Sequence, residues 1–163
     1  MLLNNFMNYL FGCSRYDGAR GYTAVNFKNI NGDSGTLPGN EGNSFFYNMR
    51  YLPTDFSSTG DFCICLGTNN TPNTTDYYLW QNDVTTLLTN SGYGFKSLLR
   101  DGKQIMRITR TVTNDTTEDI TVSEVGLLVR MAGQDILIAR EVLNIPVTVK
   151  ANGGTQVFGI DIG

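Results

Sequence analysis

Ser123–Arg130 (SEVGLLVR), Ile136–Val149 (ILIAREVLNIPVTV) and Lys150–Gly163 (KANGGTQVFGIDIG) decide the reading of the fold. Each alternates apolar with polar or small residues, the two-residue period by which a half-buried strand sends one set of side chains inward. Traced back to Ile105, the C-terminal third reads as four such strands joined by turns. Met106, Ile108 and Val112 share one parity, and Asn114-Asp115-Thr116-Thr117 turns the chain. Ile120 and Val122 continue on one parity, whereas Val125, Leu127, Val129 and Met131 take the other. A one-residue phase change inside a strand is what an inserted residue produces, so a β-bulge is predicted near Ser123-Glu124. Gly126 lies just beyond it, where a side chain would clash. Ala132-Gly133-Gln134-Asp135 is expected as a hairpin turn and Ile136 to Leu143 as the return strand. Pro146 marks a strand start or an edge, Asn152-Gly153-Gly154 is another turn, and Phe158, Ile160 and Ile162 close the domain on one face.

Working outward, Asp61 to Leu66 is a buried strand with Phe62, Ile64 and Leu66 on one face, followed by the polar loop Gly67 to Asp76. Tyr77 to Trp80 comes next, and Val84 to Leu88 reads as a short helix or an irregular crossing. Residues 12–60 are rich in Gly, Asn, Ser and Asp, with turn chemistry at Asn29–Gly35 and Pro38–Asn43 and strands expected at Tyr22–Phe27 and Ser44–Tyr51. So long a loop-rich stretch is unusual in a compact domain unless something covers it, which points to an arm ordered by partners. Leu2, Leu3, Phe6 and Leu10 fall on one side of a 3.6-residue period, so a short amphipathic helix is expected to dock on its own domain or on a neighbouring subunit. Short strands at about ten-residue spacing with turn signals between them predict an all-β fold, an antiparallel β-sandwich of jelly-roll or Ig-like type. The expected organisation is an N-terminal helix and irregular arm over residues 1–60 and the sandwich over 61–163.

Of the 163 residues only 17% are charged, and the formal net charge is −3. Phosphate binding needs a basic face, so nucleic acid is not expected as a partner. The short cationic runs Arg100–Lys103 and Arg107–Arg110 read as solvated strand, Arg107 alternating with Ile108. The Asn-rich start is too short to span a membrane and lacks the form of a signal peptide, so no membrane partner is expected. Cys63 and Cys65 stand two apart on one face of a strand, with α-carbons roughly 6.5 to 7 Å apart, near the limit for a disulfide. With Cys13 they are read as free thiols in a reducing compartment. The chain has no His and no second Cys pair at ligand spacing, so no metal is expected. The oxygen-rich Asn29–Gly35 loop lacks EF-hand spacing, and no cofactor is expected either.

Without His, acid–base chemistry would fall on carboxylates such as Glu124, Glu141, Asp83 and Asp101, in the manner of a glycosidase. Glu124 at the bulge and Arg140 on the facing strand instead suit a structural pair, the planar guanidinium bracing the carboxylate across the hairpin. No catalytic residue is assigned and an enzyme is not expected. Tyr77, Tyr78, Trp80 and Tyr93 read as core or interface anchors, with an aromatic platform for a host glycan as the alternative.

Several segments resemble a family of small bacteriophage virion proteins. Cys65-Leu66-Gly67-Thr68-Asn69-Asn70-Thr71-Pro72 followed by Asp76 is similar to that family's ALGTGTTPP…D stretch. The run from Thr113-Asn114 through Ile120-Thr121-Val122-Ser123-Glu124-Val125-Gly126-Leu127 resembles its FTN…ITIxEVGL hairpin, and Leu137–Leu143 with Pro146–Val149 its LLARDVL…PVTV ending. Asn152–Thr155 resembles its closing turn, and MLLNNF echoes its opening. The chain departs from the pattern at Asn69-Asn70, where a Gly is usual, and at Tyr77–Trp80. The resemblance covers roughly Asp61 to Gly163 and implies a non-enzymatic structural component of a tailed-phage particle. The expected localisation is the virion, assembled in the bacterial cytoplasm. The expected partners are further copies of the chain and other virion proteins, at the neck, collar or tail, with capsid decoration, a head fibre or a glycan-binding module as alternatives.

Overall fold

The computed structural model describes residues 3, 4, 6, 25–37, 62–74, 77–131 and 134–163. The described chain is built from antiparallel strands: β1 (Val25–Lys28), β2 (Ser34–Leu37), β3 (Phe62–Gly67), β4 (Thr89–Arg100), β5 (Lys103–Asn114), β6 (Ile120–Met131), β7 (Gln134–Val149) and β8 (Gly154–Ile162). A 3-10 turn, Thr85–Leu87, precedes β4. β1 and β2 form a hairpin. The other strands make two three-stranded sheets, ordered β3-β6-β7 and β4-β5-β8.

Both sheets contribute to one apolar cluster. Ile64, Leu66, Val122, Val125, Leu127, Val129 and Ile136 come from the first sheet, and Ile108, Val112, Phe158, Ile160 and Ile162 from the second. The parity that the sequence displays is therefore the core parity: a two-residue period puts every second side chain on one face. β3 is buried on both faces. Ile64 and Leu66 join the main cluster, while Cys63 and Cys65 meet Leu3, Trp80, Leu128 and Leu137 in a second one.

The register of β6 against β7 slips between Val122 and Glu124, so the irregularity lies at Ser123 with the extra residues on β7 opposite it. At this irregularity the inward-facing set of β6 passes from Val122 to Val125. β7 is longer than the expected Ile136–Leu143. It runs without a break from Gln134 to Val149, with Leu143 to Pro146 lying opposite Ser123 alone. Pro146 thus sits where β7 bows out of the ladder and no N–H is called for. Gln134 and Asp135 belong to β7 and not to the hairpin turn, since Gln134 pairs with Met131 and Asp135 with Arg130. Ala132 and Gly133 lie outside the described residues.

β4 has no counterpart in the sequence reading, and β5 begins before Ile105. Asp101 (φ 52°) and Gly102 (φ 74°) form the two-residue turn between β4 and β5, both in the left-handed region that such tight hairpins require. Asn152 (φ 57°) and Gly153 (φ 94°) also take the left-handed region, in the connection that carries the chain from β7 in one sheet to β8 in the other, and Gly154 already begins β8. Of the Tyr22–Phe27 strand, Val25 to Phe27 lie in β1; Tyr22 to Ala24 and the Ser44–Tyr51 strand lie outside the described residues. Leu3 and Phe6 are buried in this chain, while Leu2 and Leu10 lie outside the described residues.

Candidate functional site

The irregularity at Ser123 positions Glu124, which pairs with Gly67 on β3 and Val142 on β7. Arg140 stands diagonally across β7, opposite Gly126. Arg140 Nε donates to Glu124 Oε2 at 2.6 Å, and both residues are 0% exposed. Arg140 Nη1 donates to the Thr71 carbonyl at 2.8 Å and to Asn73 Oδ1 at 2.7 Å. Asn73 Nδ2 returns a bond to the Arg140 carbonyl at 3.2 Å, and the Asn69 amide donates to Glu124 Oε1 at 3.3 Å. The Tyr77 ring lies 4.1 Å from Arg140 Cζ, its hydroxyl accepting from Asn69 Nδ2 at 2.6 Å. Loss of solvent raises the Glu124 carboxyl above its ordinary value, opposed by its bond to Arg140.

One glycine makes room for this cluster and a second makes room for the neighbouring Trp80. A side chain at Gly67 would collide with the Glu124 carboxyl, and one at Gly126 would come 2.5 Å from the Trp80 ring. The three segments LGTNNTPN, SEVGL and IAREVL, remote from one another in sequence, therefore meet at one buried ion pair.

The four aromatics do not share one surface. Trp80 is buried in the second cluster, Tyr77 lies over Arg140, Tyr78 lies 4.5 Å from Lys28 Nζ, and Tyr93 lies 5.7 Å from Arg110 Cζ. The Trp80 ring is buried and packs against Gly126. The remaining carboxylates are dispersed in role. Asp83 accepts from the Thr85 amide and hydroxyl, Asp101 makes the β4–β5 turn, and Glu141 is exposed on β7. In the Asn29–Gly35 loop, Asn29 Oδ1 accepts from the amides of Asn31 and Asp33, so this oxygen closes its own turn.

Arg110 departs from the solvated reading of its run. It shares parity with Ile108 and Val112, is 4% exposed, and donates through Nη1 to the Ile64 carbonyl at 2.8 Å. Arg107 lies on the other face of β5, half-buried in a two-pronged pair with Asp161 at 2.6 and 2.8 Å. Thr85 was also unforeseen. Its hydroxyl gives its one proton to Asp83 and accepts from the Leu66 amide at 2.7 Å, standing in for a neighbouring strand. The parity of Arg110 was a readable signal, whereas Thr85 carries none.

No family model, curated protein or solved structure matches this chain.

Proposed function

We propose that this protein is a structural component of a tailed-bacteriophage virion, a two-layered β-sandwich assembling in multiple copies at the neck, collar or tail. One observation carries the reading: the motifs behind the resemblance converge on the buried Glu124–Arg140 cluster. There they serve as internal bracing for loop and sheets, with Glu124 committed to Arg140 and withdrawn from solvent. That is the role motif residues play in a brick, in contrast to the solvent-accessible carboxylate pair that sugar hydrolysis uses.

Repetition in a particle needs surfaces that fit sister copies. Phe95 and Leu99 supply one, at 45% and 74% exposure on the outlying part of the β4–β5 hairpin. Their register partners Ile108 and Gln104 show why: the core-facing side of the hairpin continues past the core and ends in the exposed tip.

The test is quantitative mass spectrometry of purified particles of a phage encoding this chain, with immunogold labelling of intact particles. Multiple copies and label at the neck or tail are expected. Label on the capsid would convert the reading to a decoration or head-fibre protein. Absence from the particle contradicts it.

A further inference from the structure

β3 turns Cys63 and Cys65 away from the main core, and hydrogen-bonding groups converge on one of the two sulfurs. Arg110 Nη1 donates to Cys63 Sγ at 3.4 Å, the Tyr93 hydroxyl lies 3.8 Å from it, and the Cys65 thiol is a third hydrogen-bonding neighbour. Among the described residues no carboxylate lies within ion-pair distance of Arg110, although the other buried arginine, Arg140, has Glu124. A buried guanidinium needs a counter-charge, and the adjoining sulfur can provide it. The Cys65 hydrogen bond, against burial and with help from Arg110, draws the Cys63 thiol from 9.0 down to about 7. Asp83 opposes this weakly. The same bond and burial push Cys65 well above 9.0, so the two thiols differ in character. Beside them lies a cavity of about 390 Å³, walled by Cys63, Cys65, Trp80, Leu128, Arg110 and Asp83.

We propose that Cys63 is a covalent modification site, a thiolate that attacks small soft electrophiles admitted to this cavity, peroxides being the class it suits. The Cys63 sulfur attacks one oxygen of hydrogen peroxide and the O–O bond breaks. The sulfur loses two electrons and becomes a sulfenic acid, while the departing hydroxide takes a proton from solvent and leaves as water. A neutral sulfenic acid no longer balances Arg110. Arg110 also ties β5 to the Ile64 carbonyl on β3, so oxidation loosens a bond between the two sheets.

The experiment uses the full chain with Cys13→Ser, treated with hydrogen peroxide in the presence of dimedone and mapped by peptide mass spectrometry. A dimedone adduct on Cys63 is expected, lost in Cys63→Ser, with a rate that rises through a midpoint near pH 7. Cys65→Ala and Tyr93→Phe should each move that midpoint upward, and the oxidised chain should melt at a lower temperature. Tyr93 is half-buried, so its variant keeps the test sound if the Cys65 variant does not fold. An adduct on Cys65, a midpoint that stays near 9, or labelling of Cys63 only after unfolding would overturn the proposal.

Discussion

The two three-stranded sheets share a core but treat their edges in opposite ways. Both outer strands of β3-β6-β7 are capped by groups from outside the sheet. On β3, the Ile64 carbonyl accepts from Arg110 and the Leu66 backbone bonds to Val84 and Thr85. On β7, the carbonyls of Asp135, Ile138 and Arg140 accept from the Ile30 amide at 3.0 Å, the Leu3 amide at 3.0 Å and Asn73 Nδ2 at 3.2 Å. In β4-β5-β8, by contrast, no backbone group outside the sheet bonds to β4 or β8 among the described residues. Its exposed residues include Phe95, Leu99 and Val157. An open edge invites another chain to pair with it, and a capped edge refuses one. On the proposed reading, the first sheet supplies stability and the second the surface for association.

The largest effect expected is from Arg140→Leu, which leaves Glu124 buried without its cation. Breaking a buried pair by removing one member costs about 3–5 kcal/mol, and denaturant unfolding should show it as an earlier midpoint. Replacing both residues by Leu should recover much of the loss, since no lone charge then remains. An unchanged melting temperature in the single variant would remove the bracing role. Thr85→Val comes next, at about 1–3 kcal/mol for stranding the Leu66 amide in the interior. Faster hydrogen exchange at Leu66 would mark the opened β3 edge, and no change there would mean that another group serves it.

Smaller still is the effect of pH on the second sheet. Arg107 holds the Asp161 carboxyl below its ordinary 3.8. A group depressed on folding stabilises above its unfolded value and loses that contribution as pH falls through the folded one. Acid titration of stability should therefore steepen below about pH 4, and Asp161→Asn should flatten it. Glu124 runs the other way: its value is raised on folding, so its contribution is greatest below 4.5 and shrinks as pH rises through the folded value. The smallest stability change belongs to Leu99→Lys, within about 0.5 kcal/mol because the side chain already faces solvent.

What was legible in the sequence tracks the same contrast. β6 and β8 lie over the core, so their apolar residues alternate, and the irregularity at Ser123 showed as a slip in that alternation. Glu124 and Arg140 are matched from their places on the facing strands of one hairpin, not from a register. β4 was not legible, because the hairpin outruns the core and Phe95, Leu98 and Leu99 follow no buried period. Only Asp101-Gly102, a two-residue hairpin signal, announced it. Arg110 occupies a core-facing position with a polar head, which the run of neighbouring cations obscured. Thr85 and the caps on β7 depend on contacts between segments far apart in the chain, which no local pattern encodes.

Light scattering on the eluting protein measures mass directly, and it tests the division between the sheets best. Mass is to be followed over a range of concentrations, for wild type and Leu99→Lys. The account predicts a wild-type species that is a multiple of 18.0 kDa and a stably folded variant shifted toward 18.0 kDa. A wild-type chain that stays at 18.0 kDa at every concentration would contradict it.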